Sequence, residues 1–69
     1  MNKQSVLKLQ EAGYIFIRER DIPGKTGRTN YAIMQSKEFG VWTILERFET
    51  KAARSRRITE LETQKNYLT

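Results

Sequence analysis

The apolar pattern predicts a two-layer α+β domain: a short N-terminal helix, a three-stranded antiparallel meander, and a C-terminal helix packed on one face. Three observations carry this expectation. Residues 14–21 and 41–48 are rich in β-branched and aromatic side chains that alternate between two faces. A shorter run of the same kind, residues 31–35, lies between them. After Thr50 the spacing becomes helical. The 69 residues read as one small domain, 1–69, with one modest core.

Residues 2–12 read as a short helix. Asn2 is a suitable N-cap, Val6 and Leu9 lie three apart with Leu7 close by, and Gly13 is a natural stop. A helix of this length is marginal unless it docks, so a frayed terminus is the alternative.

Residues 14–21 form the clearest strand, with Tyr14, Phe16, Arg18 and Arg20 on one face and Ile15, Ile17 and Glu19 on the other. A turn-rich loop is expected over residues 21–30, which hold the only proline and two of the four glycines. The second strand, 31–35, sets Tyr31 and Ile33 opposite Ala32 and Met34, and residues 36–40 turn the chain back. Strands joined by short connections pair most simply as an antiparallel meander.

In the third strand, 41–48, strict alternation puts Trp42, Ile44, Glu46 and Phe48 on one face and Val41, Thr43, Leu45 and Arg47 on the other. The first face holds both aromatics and is assigned to the core. Thr50 is the N-cap candidate for a helix over residues 51–66. At about 100° per residue, Ile58, Leu61 and Leu68 share one face of it, with Arg54, Arg57 and Lys65 in the same arc. The stems of these long side chains can lie on the sheet while their heads reach water.

The first strand leaves a choice between two surfaces. With Ile15 and Ile17 inside, the open face shows Tyr14, Phe16, Arg18 and Arg20, a stripe suited to a phosphate backbone or exposed bases. With Tyr14 and Phe16 inside, it shows Ile15, Ile17, Val41 and Leu45. Such an apolar patch fits a protein partner, a homodimer, or cover by the N-terminal helix.

Thirteen basic residues against eight acidic ones give a net charge of +5. Residues 1–24 and 25–49 each contribute +1 and residues 50–69 contribute +3, so the imbalance sits mainly on the last helix. Lys51, Arg54, Arg56 and Arg57 occupy its first two turns, where positive charge opposes the helix dipole. Arg56 and Arg57 can each reach Glu60 at helical spacing. Arg54 has no acid three or four residues away on either side, which makes it the leading candidate to meet an anionic partner.

The chain contains neither cysteine nor histidine. That excludes disulfides, Ser-His and Cys-His nucleophile pairs, and the usual zinc ligand sets. No metal or other cofactor is expected. Asp21 is the only aspartate and the glutamates are scattered, so paired-carboxylate catalysis has no evident site. No enzymatic activity is expected. Gly24-Lys25-Thr26 resembles the end of a phosphate-binding P-loop, but position 19 is Glu where a glycine is required, and a strand follows where a helix is required. The N-terminus lacks the apolar segment of a signal peptide and no run is long enough to span a bilayer, so a cytoplasmic protein with no membrane partner is expected.

Three strands followed by a helix entered through Phe48-Glu49-Thr50 resemble plant AP2-type domains and the arm-binding domains of tyrosine integrases, over residues 41–58. Those domains place an alanine against the sheet four residues after the threonine, where this chain has Arg54. The resemblance implies DNA binding through a sheet face. Two function classes follow. The first is a non-enzymatic nucleic-acid-binding module holding phosphates through Arg54, Arg56, Arg57, Lys51, Arg18, Arg20, Lys25 and Arg28. The second is a protein-interaction module, either a homodimer or an inhibitor or adaptor of a larger protein, using an apolar sheet face or the helix.

Overall fold

The computed structural model describes residues 2–69. Its elements are α1 (Lys3–Glu11), β1 (Ile15–Pro23), β2 (Thr29–Glu38), β3 (Val41–Phe48), α2 (Lys51–Glu62) and β4 (Tyr67–Leu68). The expected helix, antiparallel meander and helix are present, with α2 packed across one face of the sheet. A short fourth strand adds to them, giving the order β3-β2-β1-β4.

Both helices begin as their sequences require. Asn2 Oδ1 accepts from the Ser5 amide at 2.9 Å, and Thr50 Oγ1 accepts from the Ala53 amide at 3.1 Å. Each bond satisfies an amide that the first turn leaves without a helical partner. α1 ends at Gly13, whose φ of 96° is open to glycine at little cost.

The hairpin strands run longer than the turn residues suggest. Asp21, Ile22 and Pro23 pair with Tyr31, Asn30 and Thr29, which reduces the expected loop to residues 24–28. Pro23 is tolerated because it is the last residue of its strand, where a missing N–H breaks no interior ladder. Ser36 and Lys37, expected in a turn, belong to β2, which reverses through Phe39 and Gly40 alone.

The core lies between the sheet and α2. Ile17, Ile33, Ile58 and Leu61 form its buried centre, and Ile15, Leu45, Phe48 and Tyr67 pack against it. Two register shifts interrupt the β2–β3 ladder, and the first leaves Leu45 as an extra residue between the Ile33–Glu46 and Met34–Ile44 pairs. Two residues opposing one break the alternation of faces. Leu45, Glu46 and Phe48 therefore face α2, while Trp42, Ile44 and Arg47 face the other way. The expectation that Trp42 and Ile44 join Phe48 in the core fails for this reason.

α2 stops at Glu62, four residues short of its expected end, where the Thr63 hydroxyl donates to the Glu60 carbonyl at 2.6 Å. The chain then turns back. Ile15 donates its amide to the Asn66 carbonyl at 2.7 Å, and β4 pairs parallel to β1. Leu68, expected on the helix stripe, lies on this strand. The exposed edge of β1 offers unpaired amides and carbonyls, and residues 66–68 satisfy some of them while covering the edge.

α1 abuts the opposite face at one end. Gln10 Nε2 donates to Ser36 Oγ at 3.1 Å, and Ser36 is paired with Phe16 across the strands.

Candidate nucleic-acid interface

The choice left open by β1 is decided by burial. Ile17 is buried and Ile15 packs on the core beneath α2, so Phe16, Arg18 and Arg20 face away from that helix. The bulge at Leu45 brings Arg47 to the same side. Two rows of side chains result, Arg20–Ala32–Arg47 and Arg18–Met34–Ile44. Trp42 stands at their end, with the Arg18 guanidinium 4.1 Å from its ring centroid. That contact crosses the central strand over Met34, a cation–π arrangement that orders a long side chain.

Ala32 and Met34 are buried although α2 is on the other side of the sheet. The stems of Arg20 and Arg47 flank Ala32, which keeps the alanine dry while their charged heads remain exposed. No carboxylate shares this surface between Phe16 and Ile22 on β1, Asn30 and Ser36 on β2, or Trp42 and Arg47 on β3. The acids within those spans, Glu19, Asp21 and Glu46, face α2, and Glu38 lies outside them at the end of β2. Among the described residues, Arg18, Arg20 and Arg47 make no ion pair. Like charges gathered without counter-charges create a field that attracts polyanions.

The cations expected on α2 are divided. Arg54 is buried, at 4% exposure, and is not a free cation. Its guanidinium donates to Asp21 Oδ1 at 2.6 Å, to the Arg20 carbonyl at 3.2 Å and to Glu19 Oε2 at 3.4 Å, and lies 5.3 Å from the Tyr31 ring centroid. The position that the resembling domains fill with alanine thus holds a guanidinium neutralised by β1. Arg54 is therefore not the free anion contact that the spacing on its own helix predicts, because the acids that engage it come from β1.

Arg57 is likewise engaged, donating from Nε to Glu46 at 2.8 Å and from Nη1 to Glu60 at 3.1 Å. Hydrogen bonding to Glu46, and then to Glu60, raises its pKa above the ordinary arginine value. Any stability from that shift is fully present below the ordinary value and lost only as pH climbs past the raised one, so it is constant at neutral pH. Lys51 lies 5.9 Å from the Tyr31 ring centroid. Arg56 is exposed and, among the described residues, in no ion pair, as are Lys25 and Arg28 at the hairpin tip. The structure therefore sets Arg18 and Arg20 on one side of the sheet and the α2 cations on the other, and it does not assemble all eight into one site.

Sequence reasoning missed Arg47. Its signal was Glu46, which strict alternation would bury beside Trp42 and Phe48. An unpaired carboxylate in a core is costly, and a bulge that turns Glu46 toward Arg57 removes the conflict and moves Arg47 across.

Among the described residues, no group of three or more His, Cys, Asp or Glu is placed to hold a metal ion, and no helix is long and apolar enough to cross a membrane. No family model, curated protein or solved structure matches the chain.

Proposed function

We propose that this protein is a non-enzymatic nucleic-acid-binding module that contacts the phosphate backbone through the sheet face opposite α2. Arg18, Arg20 and Arg47 are the principal contacts, and Lys25 and Arg28 extend the positive surface at the hairpin tip. The observation that carries this reading is the face itself: three arginines without ion pairs, beside an exposed isoleucine and a tryptophan, with no carboxylate among them. Guanidinium groups suit phosphate because their planar donors can engage two oxygens at once. The strands supply a rigid platform, so the arginines need no large rearrangement to meet a backbone.

The protein-interaction alternative would use either the helix or an apolar sheet patch of Ile15, Ile17, Val41 and Leu45. Ile15, Ile17 and Leu45 are consumed by the core beneath α2, which leaves Val41 alone of that set.

Binding of labelled duplex and single-stranded DNA across a salt series tests the proposal. Five engaged cations predict a log–log slope of about −4.5 on duplex or about −3.5 on a single strand. Absence of binding to either at about 50 mM salt contradicts it.

A further inference from the structure

On the same face as the arginines, α1 and the sheet border a half-open cavity of about 220 Å³ lined by Val6, Gln10, Phe16, Ser36, Phe39, Gly40 and Trp42. Drug-sized ligands take pockets of about 300–1,000 Å³, so this space suits one planar ring system. Three of its walls are aromatic. Gln10 borders it with an unsatisfied group close by: its Nε2 is held by Ser36, and its Oε1 is buried and accepts no hydrogen bond. A buried acceptor without a donor is an incomplete arrangement, and a turn of the Gln10 side chain would present it to the N–H groups on the edge of a nucleobase.

We propose that this cavity receives an unpaired nucleobase, so that the preferred ligand is single-stranded nucleic acid rather than duplex. The inference rests on the nucleic-acid reading and narrows its substrate class. Charge placement supports it, because Arg18 lies over Trp42, joining the aromatic wall to the arginine rows. A base seated in the cavity would continue into a backbone running toward Arg18, Arg20 and Arg47. Shape supports it as well. A helix with its side chains is about 10 Å across, and α1 stands on the face a duplex would need to approach. A rigid duplex meets α1 at that end, whereas a flexible strand can bend into the corner beside it. Bases on aromatic platforms bind with little dependence on sequence.

The test compares affinities under one salt condition for four probes of about twelve nucleotides: single-stranded oligo(dC), oligo(rC), an abasic strand with the same number of phosphates, and a duplex. At least one base-bearing single strand binds about tenfold more tightly than both the abasic strand and the duplex, and the tighter of the two names the sugar. A Val6→Phe variant, which fills the cavity and leaves the three arginines in place, loses that advantage while retaining abasic-strand binding. If abasic, base-bearing and duplex probes bind alike, or Val6→Phe keeps the advantage while circular dichroism shows it folded, the cavity is not a base site and the phosphate-binding face stands. If no probe binds, both readings fall.

Discussion

Arg54 Nη1 lies 2.6 Å from Asp21 Oδ1, joining the first turns of α2 to the far half of β1. This pair compensates positive charge near the helix N-terminus from within the fold. Arg54, Ile58 and Leu61 form the buried stripe of α2, so the guanidinium occupies a position where an apolar side chain would ordinarily meet the sheet. Its partners remain half exposed, with side-chain exposures of 51% for Asp21 and 54% for Glu19, which limits the cost of leaving them alone. Arg54→Ala is expected to lower stability by about 2 kcal/mol in urea unfolding, a value in the range for hydrogen bonds to charged groups. On the proposed reading, the folded fraction is expected to bind nucleic acid as the wild type does. Unchanged stability with lost binding would assign Arg54 to the interface instead.

Arg56 serves as the contrast to the sheet arginines. It is exposed and unpaired, but α2 carries it on the layer away from Arg18, Arg20 and Arg47. Arg56→Gln is expected to change stability by less than about 0.5 kcal/mol and to leave the salt slope of binding unaltered. A slope reduced by about one unit would show that a phosphate contacts the helix.

Ile33 has no exposed surface and is central to the core. Ile33→Ala is expected to cost about 2–5 kcal/mol and Ile33→Val about 0.5–1.5 kcal/mol. A domain of this size has about 3–10 kcal/mol in total. Thermal melts should therefore show a folded valine variant and an alanine variant largely unfolded at 37 °C.

The hairpin tip depends on Gly24, whose amide donates to the Arg28 carbonyl at 2.7 Å. A Cβ at this position would run into that same carbonyl oxygen. Because the obstacle is backbone, Gly24→Ala must open the turn. A loss of about 1–2 kcal/mol is expected, read as a melting temperature lower by roughly 4–8 °C per kcal/mol. An unchanged melting temperature would show that the tip accommodates the methyl group freely.

Local signals served well where one residue governs a local geometry. Asn2 and Thr50 announced their helices because capping needs only a hydroxyl or carboxamide three residues ahead of an amide. Gly13 marked a helix end through its backbone freedom. The positions that resisted depend on partners distant in sequence. Nothing near Arg54 reveals that Asp21 and Glu19 will lie beneath it, since they arrive from another element. The Leu45 bulge shifts Arg47 to the arginine face through pairing with Ile33 and Met34, which alternation within one strand cannot express. Residues 63–66, expected on the helix, instead lead residues 66–68 back to the edge of β1, which offers hydrogen-bond partners. The cavity beside Gln10 was hidden for a similar reason, as it exists only once α1 docks at Ser36.

The most direct measurement of the central claim is the salt dependence of single-strand affinity for the wild type and for the double variant Arg20→Gln, Arg47→Gln. Both substitutions keep an unbranched polar stem beside Ala32, so the fold is retained. The account predicts a slope shallower by about 1.4 units, about 0.7 for each phosphate contact removed, together with weaker binding at low salt. Identical slopes and affinities in the two proteins would contradict it.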